Sequence, residues 1–552
     1  MAFRTKRNSM LHQVLKDPAR EVAINEEIAK GAQWIIEGPL RRVPPYYFTY
    51  LTFCKQRWIG QQLLSVFTQE FRDRTQEYYK RAIDNGLVLV NDEVASTDQV
   101  LKNGDLIMHR THKHEQPVTS RPIKIVHQDD DLVVIDKPGG LPVHPTGRFN
   151  FNTVMALLEH ENKIVCHPCN RLDRLTSGLM FLAKNSKSAE KLGQQIRDRT
   201  VSKQYLALVI GKFPPTAEVE GNMRTVDPKL SLNMMDNHPD SKTSCTKFKF
   251  VSYDKETDRS LVLCMPETGR THQIRVHLQH LGFPIVNDPI YSNPEVWGPT
   301  LGKNFTAETA DVEKIAAALD KAGKTEPAQS YEYPNAKGEM LSGEVCDICD
   351  TPLYTDPGPN DLNLYLHALR YKAQDNSWSY ETDIPEWATN VHMKFMRKAL
   401  EEARKAPDLP GAFAVGAVLV HDGEILETGY TRELEGNTHA EENALAKLAK
   451  RGQEIPEGTC LYTTMEPCTY RLSGNKPCNE RVLENPAIKT VFVGVMEPST
   501  FVQNNTSRST LEREGVIYIK IPGVSEEALQ IAEKGHRVGT KRKIDSQSEP
   551  TS

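Results

Sequence analysis

Long apolar segments are absent from this sequence of 552 residues. No run approaches the roughly 20 apolar residues that a helix needs to cross a bilayer, so we expect no membrane partner. The first residues, which include Arg4, Lys6 and Arg7, lack the apolar stretch of a secretory signal. Ten cysteines are spread without a short-period framework, which excludes a disulfide-stapled scaffold and indicates a reducing compartment. We therefore predict a cytoplasmic protein, and a mitochondrial or nuclear location is the weaker interpretation.

A strong excess of one charge sign is also missing. The formal net charge of −5 and the hydrophobic content of 38% are ordinary for a soluble globular chain. A nucleic-acid partner would therefore have to meet a local basic face rather than the field of the whole molecule. The length exceeds what one core supports, so several domains are expected.

One segment places a carboxylate between two guanidiniums. It reads N-R-L-D-R-L-T-S-G-L from Asn170, with Asp173 between Arg171 and Arg174. Such flanking cations keep a carboxylate ionised and position it by hydrogen bonds, which suits a nucleophile better than a proton donor. A structural ion pair at a strand-to-turn junction is the alternative for a motif of this kind that stands alone.

Three further motifs accompany this segment. They are K-P-G-G-L-P-V-H from Lys137, K-Q-Y from Lys203 and T-G-R-T-H-Q-I-R from Thr268. The four motifs in this order resemble the RluA-type pseudouridine synthases, which isomerise uridine within structured RNA. That family usually carries histidine before the Arg-Leu-Asp, whereas this chain has Asn170.

The resemblance implies roles for individual residues. Asp173 would be the nucleophile, attacking either the ring or the sugar of the uridine. Tyr205 would stack on the target base and is a candidate for removing its carbon-5 proton, and Arg270 would form an ion pair with Asp173. Lys137 and Arg171 are candidate substrate-binding residues. The resemblance implies no metal or cofactor for this half of the chain.

The region before these motifs has a helix, helix, hairpin pattern over residues 58–109, with Asn91 and Asp92 as the turn. This order resembles the small RNA-binding module that precedes many RluA-type synthases. An α+β cap without a role in RNA binding is the alternative.

An acidic stretch interrupts the synthase pattern. Residues 301–390 carry sixteen acidic against seven basic side chains, a surface that would repel phosphates. Residues 310–322 have a helical pattern, and 323–343 are typical of a polar linker. The segment L-H-A-L-R-Y from Leu366 resembles the last strand of the synthase fold, so the acidic stretch is predicted to be an insertion within the synthase.

Two isolated C-x-x-C pairs lie outside these motifs. One is formed by Cys166 and Cys169, the other by Cys346 and Cys349. Each pair could supply half of a zinc site, and the two pairs could meet in space to hold one ion. Sequence spacing leaves this question open.

A different constellation follows Trp387. His439 and Glu441 form an H-x-E at the start of a predicted helix, and Cys468 and Cys478 follow with nine residues between them. This is the zinc deaminase pattern, in which His and two thiolates bind the ion and the Glu moves protons. Three ligands leave a fourth position for water, which zinc acidifies. A structural zinc knuckle is the alternative, but it would normally supply a fourth ligand close by.

The interval between the two cysteines carries further information. Nucleoside and polynucleotide deaminases usually have C-x-x-C, whereas the long loop here resembles the deaminases of riboflavin biosynthesis. In those enzymes the loop borders the ribityl-phosphate end of the substrate. Arg471 and Lys476 could meet that phosphate, although solvated cations are the alternative. The fusion of an RluA-type synthase to such a deaminase resembles the fungal bifunctional proteins of that pathway.

These observations predict an α+β pseudouridine synthase domain with a mixed antiparallel sheet, preceded by a small α+β RNA-binding module and followed by an α/β/α three-layer cytidine-deaminase-like domain. The predicted boundaries are 1–45 for a basic irregular leader, 46–118 for the module, 119–388 for the synthase with its insertion at about 300–350, 389–538 for the deaminase and 539–552 for a disordered tail.

The predicted function is double. One half would convert a tRNA uridine, at position 32 of the anticodon stem-loop in the relatives, to pseudouridine. The other would use Zn²⁺ to deaminate 2,5-diamino-6-ribitylamino-4(3H)-pyrimidinone 5′-phosphate. Two alternatives remain: a tRNA base deaminase delivered by the N-terminal half, and a non-catalytic RNA-binding N-terminal half beside an active deaminase.

Overall fold

The computed structural model describes residues 33–71, 74–145, 149–228, 230–322, 341–358, 361–408, 412–471, 473–498 and 505–535. The chain forms two compact units, each built from two separate segments. The first unit comprises Met1–Asp198 and Ala318–Leu364, and the second comprises Arg199–Ala317 and Tyr365–Ser552. The predicted leader up to residue 32, the polar linker over 323–340 and the tail over 539–552 lie outside the described residues.

Short strands and helices alternate along the described chain. Up to residue 198 they are β1 (Ile35–Glu37), β2 (Leu40–Arg42), β3 (Tyr46–Phe53), α1 (Leu63–Glu70), α2 (Gln76–Asp84), β4 (Val88–Val90), β5 (Glu93–Val94), β6 (Leu106–Lys113), β7 (Val118–Thr119), β8 (Lys124–Gln128), β9 (Leu132–Lys137), α3 (Val154–Asn162), β10 (His167–Pro168), β11 (Ser177–Ala183) and α4 (Ser186–Arg197). From residue 199 to 358 they are β12 (Val201–Ile210), β13 (Thr216–Asp227), β14 (Leu232–Met235), β15 (Lys242–Asp254), β16 (Arg259–Pro266), α5 (Gln273–Leu281), α6 (Pro294–Trp297), α7 (Val312–Ala322), β17 (Leu341–Val345) and β18 (Pro352–Tyr354). After residue 361 they are β19 (Leu366–Ala373), β20 (Ser379–Glu381), α8 (Glu386–Lys405), β21 (Gly416–His421), β22 (Glu424–Tyr430), α9 (Ala440–Lys450), β23 (Thr459–Met465), α10 (Cys478–Leu483), β24 (Ile488–Val495), α11 (Ser507–Arg513), β25 (Ile517–Lys520) and α12 (Ser525–Ala532).

A four-stranded sheet in the first unit has the order β3-β6-β4-β5. The turn between β4 and β5 is formed by Asn91 and Asp92, both with positive φ (54° and 70°), as a two-residue hairpin turn requires. The predicted hairpin is therefore confirmed. Helix α2 begins after Thr75, whose side chain accepts a hydrogen bond from the Tyr78 N–H. Apolar side chains of α1, α2 and the sheet form one core, which includes the buried Trp58. We call this sheet with α1 and α2 the N-terminal module.

The first unit also contains antiparallel pairs of β8 with β9, β9 with β11, and β10 with β11. Strand β11 is buried along its whole length, because it packs on both faces. The loop between β10 and β11 contains Asp173, and the loop after β9 begins at Pro138. Strands β17 and β18 form a separate hairpin.

The second unit contains an antiparallel run of strands in the order β14-β13-β15-β16-β12-β19, with β20 paired to β19. Strand β12 carries Tyr205 at an irregularity, since its register to β19 shifts between Gln204 and Tyr205. A bulge of this kind redirects a side chain out of the regular alternation. The T-G-R-T-H-Q motif connects β16 to α5.

A five-stranded mixed sheet in the second unit has the order β22-β21-β23-β24-β25. The last three strands are parallel, and the first hairpin turns at Asp422 and Gly423, both with positive φ, as a two-residue hairpin turn requires. Residues of α9, α10 and α11 belong to a core with one set of sheet side chains. Residues of α8 and α12 belong to a core with another set, so the sheet lies between two helical layers.

The core that contains α8 extends beyond the five-stranded sheet. It also includes Leu206 of β12, Val251 of β15, Leu261 of β16 and Leu369 of β19. The carbonyl of Val251 accepts a hydrogen bond from Thr490 Oγ1 of β24 at 2.9 Å. The two sheets of the second unit therefore share one hydrophobic core, although the sequence suggested separate cores on either side of residue 388.

The predicted helical segment 310–322 contains α7, and α8 begins at Glu386 after its N-cap Pro385. None of the helices in the described ranges is long and apolar enough to cross a membrane.

Candidate active site

Three predicted metal ligands lie together in the second unit. His439 caps the N-terminus of α9, Cys468 follows β23, and Cys478 is the first residue of α10. His439 Nδ1 lies 3.5 Å from Cys468 Sγ and 3.4 Å from Cys478 Sγ. Ligands at Zn–S 2.3 Å and Zn–N about 2.05 Å, arranged tetrahedrally, would be about 3.6 Å apart. The donor set and its spacing therefore fit zinc.

The two thiols differ electrostatically. A hydrogen bond from Cys478 and the nearby His439 lower the pKa of Cys468 to about 4. The hydrogen bond to Cys468, together with burial, raises the pKa of Cys478 above its usual range. A thiolate is the form that binds a metal, so Cys468 is the ligand already suited to a cation.

Glu441 is buried at the same site. Its Oε1 accepts a hydrogen bond from Thr463 Oγ1 at 2.9 Å, and its Oε2 accepts one from Cys478 Sγ at 3.2 Å. Burial raises the pKa of Glu441 above its usual range, which favours the protonated carboxyl. The side chain lies next to the ligands and holds a proton readily, as a residue that transfers protons must.

Two further carboxyls near this cluster, the buried Glu466 and the half-buried Glu497, are not among the predicted site residues. Burial raises the pKa of Glu497 to about 7, with the Cys468 thiolate adding to the effect, and burial also raises the pKa of Glu466. Glu497 accepts a hydrogen bond from Asn505 Nδ2 at 2.8 Å. Glu466 stands two residues before Cys468, so the M-E-P-C segment contained a signal for it; Glu497 lies 29 residues beyond Cys468, and no spacing indicated it.

The loop between the two cysteines is held by a buried ion-pair network, which corrects the prediction for Arg471. Its guanidinium is almost fully buried, bonds Glu442 at 2.8 Å and donates to the carbonyl of Asn437. Glu442 also accepts from Arg481 at 2.7 Å. Arg471 therefore fixes the loop and does not present its charge to a phosphate. Lys476 pairs with Glu484 and is partly exposed, so its contact with a phosphate stays a prediction.

In the first unit, Asp173 lies half-buried in the loop before β11. Its carbonyl accepts a hydrogen bond from Thr176 N–H at 3.2 Å, which forms the turn at the Thr-Ser-Gly. Asn170, at the position where the family has histidine, accepts a bond from Phe181 N–H at 2.9 Å through its side chain. Asn170 therefore connects the loop to β11, although it replaces the histidine of the family. Arg171 is exposed, and its role in substrate binding stays a prediction.

Lys137 lies behind this loop, and the structure corrects its predicted role as a substrate contact. Its side chain is completely buried, and its ammonium donates to the carbonyls of Pro138 and Leu141 at 2.9 Å and of Arg174 at 3.1 Å. Burial lowers the pKa of Lys137 to about 7, and the Asp173 carboxylate opposes that shift. Lys137 is therefore a positioning residue for the segment that carries Asp173.

In the second unit, the hydroxyl of Tyr205 forms a hydrogen bond with that of Tyr371 on β19. Tyr371 was not assigned a role, although it ends the L-H-A-L-R-Y segment. Arg270 Nε donates to the carbonyl of Thr243 at 3.0 Å, and its backbone N–H donates to Gln273 Oε1. The predicted ion pair of Arg270 with Asp173 joins residues of different units and stays a prediction.

A cavity of about 330 Å³ in the second unit is lined by residues of both sheets, including Lys212, Lys249 and Lys489. None of the candidate catalytic residues lines it.

Two family models match the chain. Residues 131–280 match "RNA pseudouridylate synthase", and residues 389–495 match "Cytidine and deoxycytidylate deaminase zinc-binding region". These are the classes that the loop around Asp173 and the cluster at His439 indicate. The predicted order of folds, a pseudouridine synthase domain followed by a cytidine-deaminase-like domain, is confirmed.

The chain belongs to the RNA pseudouridine synthase family. It is 53% identical over 366 residues to the mitochondrial tRNA pseudouridine(32) synthase of Saccharomyces cerevisiae, covering 64% of this chain and 78% of that protein. It is 35% identical to the tRNA pseudouridine(31) synthase of the same organism, over 64% of this chain and 96% of that protein. The crystal structure of Aspergillus oryzae Rib2 deaminase is 34% identical, covers 26% of this chain and 92% of that chain, and has a TM-score of 0.24.

Proposed function

We propose that this chain isomerises a uridine of tRNA, at position 32 of the anticodon stem-loop, and separately deaminates a ribitylamino-pyrimidine phosphate. The observation that carries the first activity is the Asp173 loop fixed by the buried Lys137. The name of the 53% identical yeast relative supports tRNA and position 32. The observation that carries the second is the His439, Cys468 and Cys478 cluster with Glu441 beside it.

In the isomerisation, Asp173 is the nucleophile at the ring or at the sugar. The glycosidic bond to nitrogen breaks, the base turns, carbon 5 joins the sugar, and the bond to the Asp173 carboxylate is released. Tyr205 is placed by the bulge of β12, with its hydroxyl against Tyr371. A pair of hydroxyls can accept the carbon-5 proton and pass it on, which is a general-base role.

In the deamination, His439, Cys468 and Cys478 would hold a zinc ion, which would supply an acidified water molecule. Glu441 takes a proton from the attacking water and delivers it to the exocyclic nitrogen. The water oxygen bonds to the ring carbon, the C–N bond breaks, and the nitrogen leaves as ammonia. Its bond from Thr463 fixes one carboxyl oxygen while the other faces the ligands.

The substrate of the deaminase is proposed to be 2,5-diamino-6-ribitylamino-4(3H)-pyrimidinone 5′-phosphate. The nine-residue interval between the cysteines supports a small substrate, because Arg471 and Glu442 hold the loop rigidly beside the cluster. A rigid loop narrows the approach that a polynucleotide would need. Lys476 is the cation of this loop that remains partly exposed for a phosphate.

The experiment supplies the purified chain with a tRNA transcript and, separately, with the pyrimidine phosphate. Pseudouridine should form only in the tRNA, and Asp173→Asn should abolish it while Lys124→Gln, an exposed change on β8, should not. Ammonia should be released from the pyrimidine phosphate and not from tRNA. Equal ammonia release from tRNA would favour a tRNA base deaminase, and pseudouridine formation by Asp173→Asn would refute the nucleophile.

A further inference from the structure

A second cluster of metal-binding side chains lies in the first unit. His112 is on β6, His114 follows it, and Cys346 and Cys349 lie between β17 and β18. Four ligand atoms, one from each residue, lie within 4.8 Å of one another. More than 230 residues separate the histidines from the cysteines in sequence, so the fold alone brings them together.

The spacing of this cluster fits a tetrahedral ion. Cys346 Sγ lies 3.5 Å from His112 Nδ1, and Cys349 Sγ lies 3.4 Å from His114 Nε2. A tetrahedral zinc site with Zn–S 2.3 Å and Zn–N about 2.05 Å has sulfur-to-nitrogen distances of about 3.6 Å. The same distances occur in the His439 cluster, which matches a zinc-binding family model.

The cysteines are presented by a tight loop. The N–H of Cys346 donates to the carbonyl of Thr351, and the N–H of Asp350 donates to the carbonyl of Cys346. Asp350 has a φ of 51°, which closes the turn. The N–H of Ile348 lies 3.4 Å from Cys346 Sγ, and the hydroxyl of Thr351 lies 3.0 Å from Cys349 Sγ. The N–H directed at Cys346 Sγ stabilises its thiolate, the form in which cysteine binds a metal, and the Thr351 contact fixes the position of Cys349.

The histidines are equally fixed. Their rings are 4.8 Å apart and perpendicular, and His112 packs against Tyr47 of β3. The next residue, Glu115, is buried and accepts hydrogen bonds from Tyr46 and from the N–H groups of Phe151 and Asn152. The chain around His114 is therefore held on both sides, so the two imidazoles keep their positions without help from a ligand.

We propose that His112, His114, Cys346 and Cys349 bind a structural zinc ion, distinct from the ion of the deaminase site. Two thiolates and two imidazoles with no open position are the donor set of closed, structural zinc sites. The alternative pairing of the two C-x-x-C motifs is not formed, since Cys166 and Cys169 join no cluster within the described ranges.

The ion would fasten the β17–β18 hairpin to the N-terminal module. Arg81 of α2 forms an ion pair with Asp350 at the same junction, but exposed pairs of this kind contribute little. A metal bridge between segments so far apart in sequence closes a long loop and therefore favours the folded state. The inserted segment thus serves to hold the module in place.

The test is the zinc content of the full chain, measured by mass spectrometry after removal of loosely bound metal. Wild type should carry two zinc ions per chain, Cys349→Ser one, Cys468→Ala one, and the double variant none. Cys169→Ser, a half-buried cysteine of the other C-x-x-C pair, is the matched control and should keep two. If Cys349→Ser kept the wild-type zinc content, or if iron replaced zinc in the preparation, the proposal would fail.

A second measurement guards against misfolding of the variants. In a Cys468→Ala chain loaded with Co²⁺, the proposed site should give the intense visible absorption of tetrahedral cobalt and a thiolate charge-transfer band. Adding Cys349→His to the Cys468→Ala chain keeps four ligands at the proposed site but removes one thiolate. The tetrahedral absorption should therefore remain, and the thiolate charge-transfer band should weaken. Absence of both bands in the folded Cys468→Ala chain would refute the proposed site.

Discussion

At the scale of single residues, the long cations were the least predictable from sequence. Lys137 and Arg471 were both predicted to contact substrate, yet their charged ends are buried on carbonyls and on Glu442. A flexible stem lets the head group of Lys or Arg reach solvent or a buried acceptor from the same position. By contrast His439, Cys468 and Cys478 could be predicted, because together with Glu441 they follow the order of a known zinc deaminase motif.

The role of Lys137 leads to a prediction. Lys137→Met removes the ammonium and leaves three carbonyls without their donor, which should lower the free energy of unfolding by about 2 kcal/mol. Pseudouridine formation should fall at least tenfold, because the Asp173 loop loses its anchor. Denaturation and single-turnover assays would measure both. Lys124→Met on the exposed face of β8 should change neither; a stable, inactive Lys137→Met chain would indicate direct participation instead.

At the scale of elements, hairpins and helices followed local signals, while pairing between distant strands did not. Asn91 and Asp92 form the predicted turn, because the positive φ of a two-residue hairpin turn depends only on the turn residues. Helix α8 begins at Glu386, directly after its N-cap Pro385, where a proline leaves no helical hydrogen bond unmade. The same helix carries His392, which no motif indicated.

His392 makes stability depend on pH. It is fully buried, stacks on Phe492 and lies 2.7 Å from the hydroxyl of Tyr462, with Ser252 on the other nitrogen. Burial, with Lys394 nearby, lowers the pKa of His392 to about 3. The unfolded chain, with a histidine pKa near 6.5, therefore binds a proton that the folded chain does not. Stability from this group is complete above about pH 6.5 and is lost as the pH falls toward 3.

The expected size is measurable. At pH 5, about 1.5 units below the pKa of an unfolded histidine, His392 should lower the free energy of unfolding by about 2 kcal/mol. His392→Gln cannot titrate, so the loss between pH 7 and pH 5 should be smaller by that amount in denaturant titrations. His238→Gln, at an exposed position, should keep the wild-type pH dependence. If His392→Gln lost as much stability between pH 7 and pH 5 as wild type, other groups would cause the pH dependence.

At the scale of the whole molecule, we expect the two activities to be independent of each other, whereas the stability of the two sheets in the second unit should be coupled. Asp173→Asn should leave ammonia release unchanged and Glu441→Ala should leave pseudouridine formation unchanged, because each residue acts only at its own site. Val251→Ala, in the core shared by the two sheets of the second unit, should instead destabilise that unit by about 2 kcal/mol and lower the thermal stability of the deaminase.

Activity assays and thermal unfolding of the three variants would measure this. Val126→Ala, at an exposed position of β8, is the control and should behave as wild type. If Val251→Ala left the melting temperature of the deaminase unchanged, the shared core would not couple the two sheets.

The sequence by itself determined which chemical groups the chain possesses and their local geometry. The carboxylate between guanidiniums at Asp173 and the Asn91-Asp92 turn are local patterns over a few residues. The H-x-E and its two cysteines span residues 439–478, and they were predicted from the order of a known motif. The tertiary structure decided which distant groups meet. His112 and His114 reach Cys346 and Cys349 only through the fold, and Lys137 turns inward because the loop carbonyls surround it. Contacts between remote segments depend on the packing of the whole chain, and no spacing in the sequence encodes them.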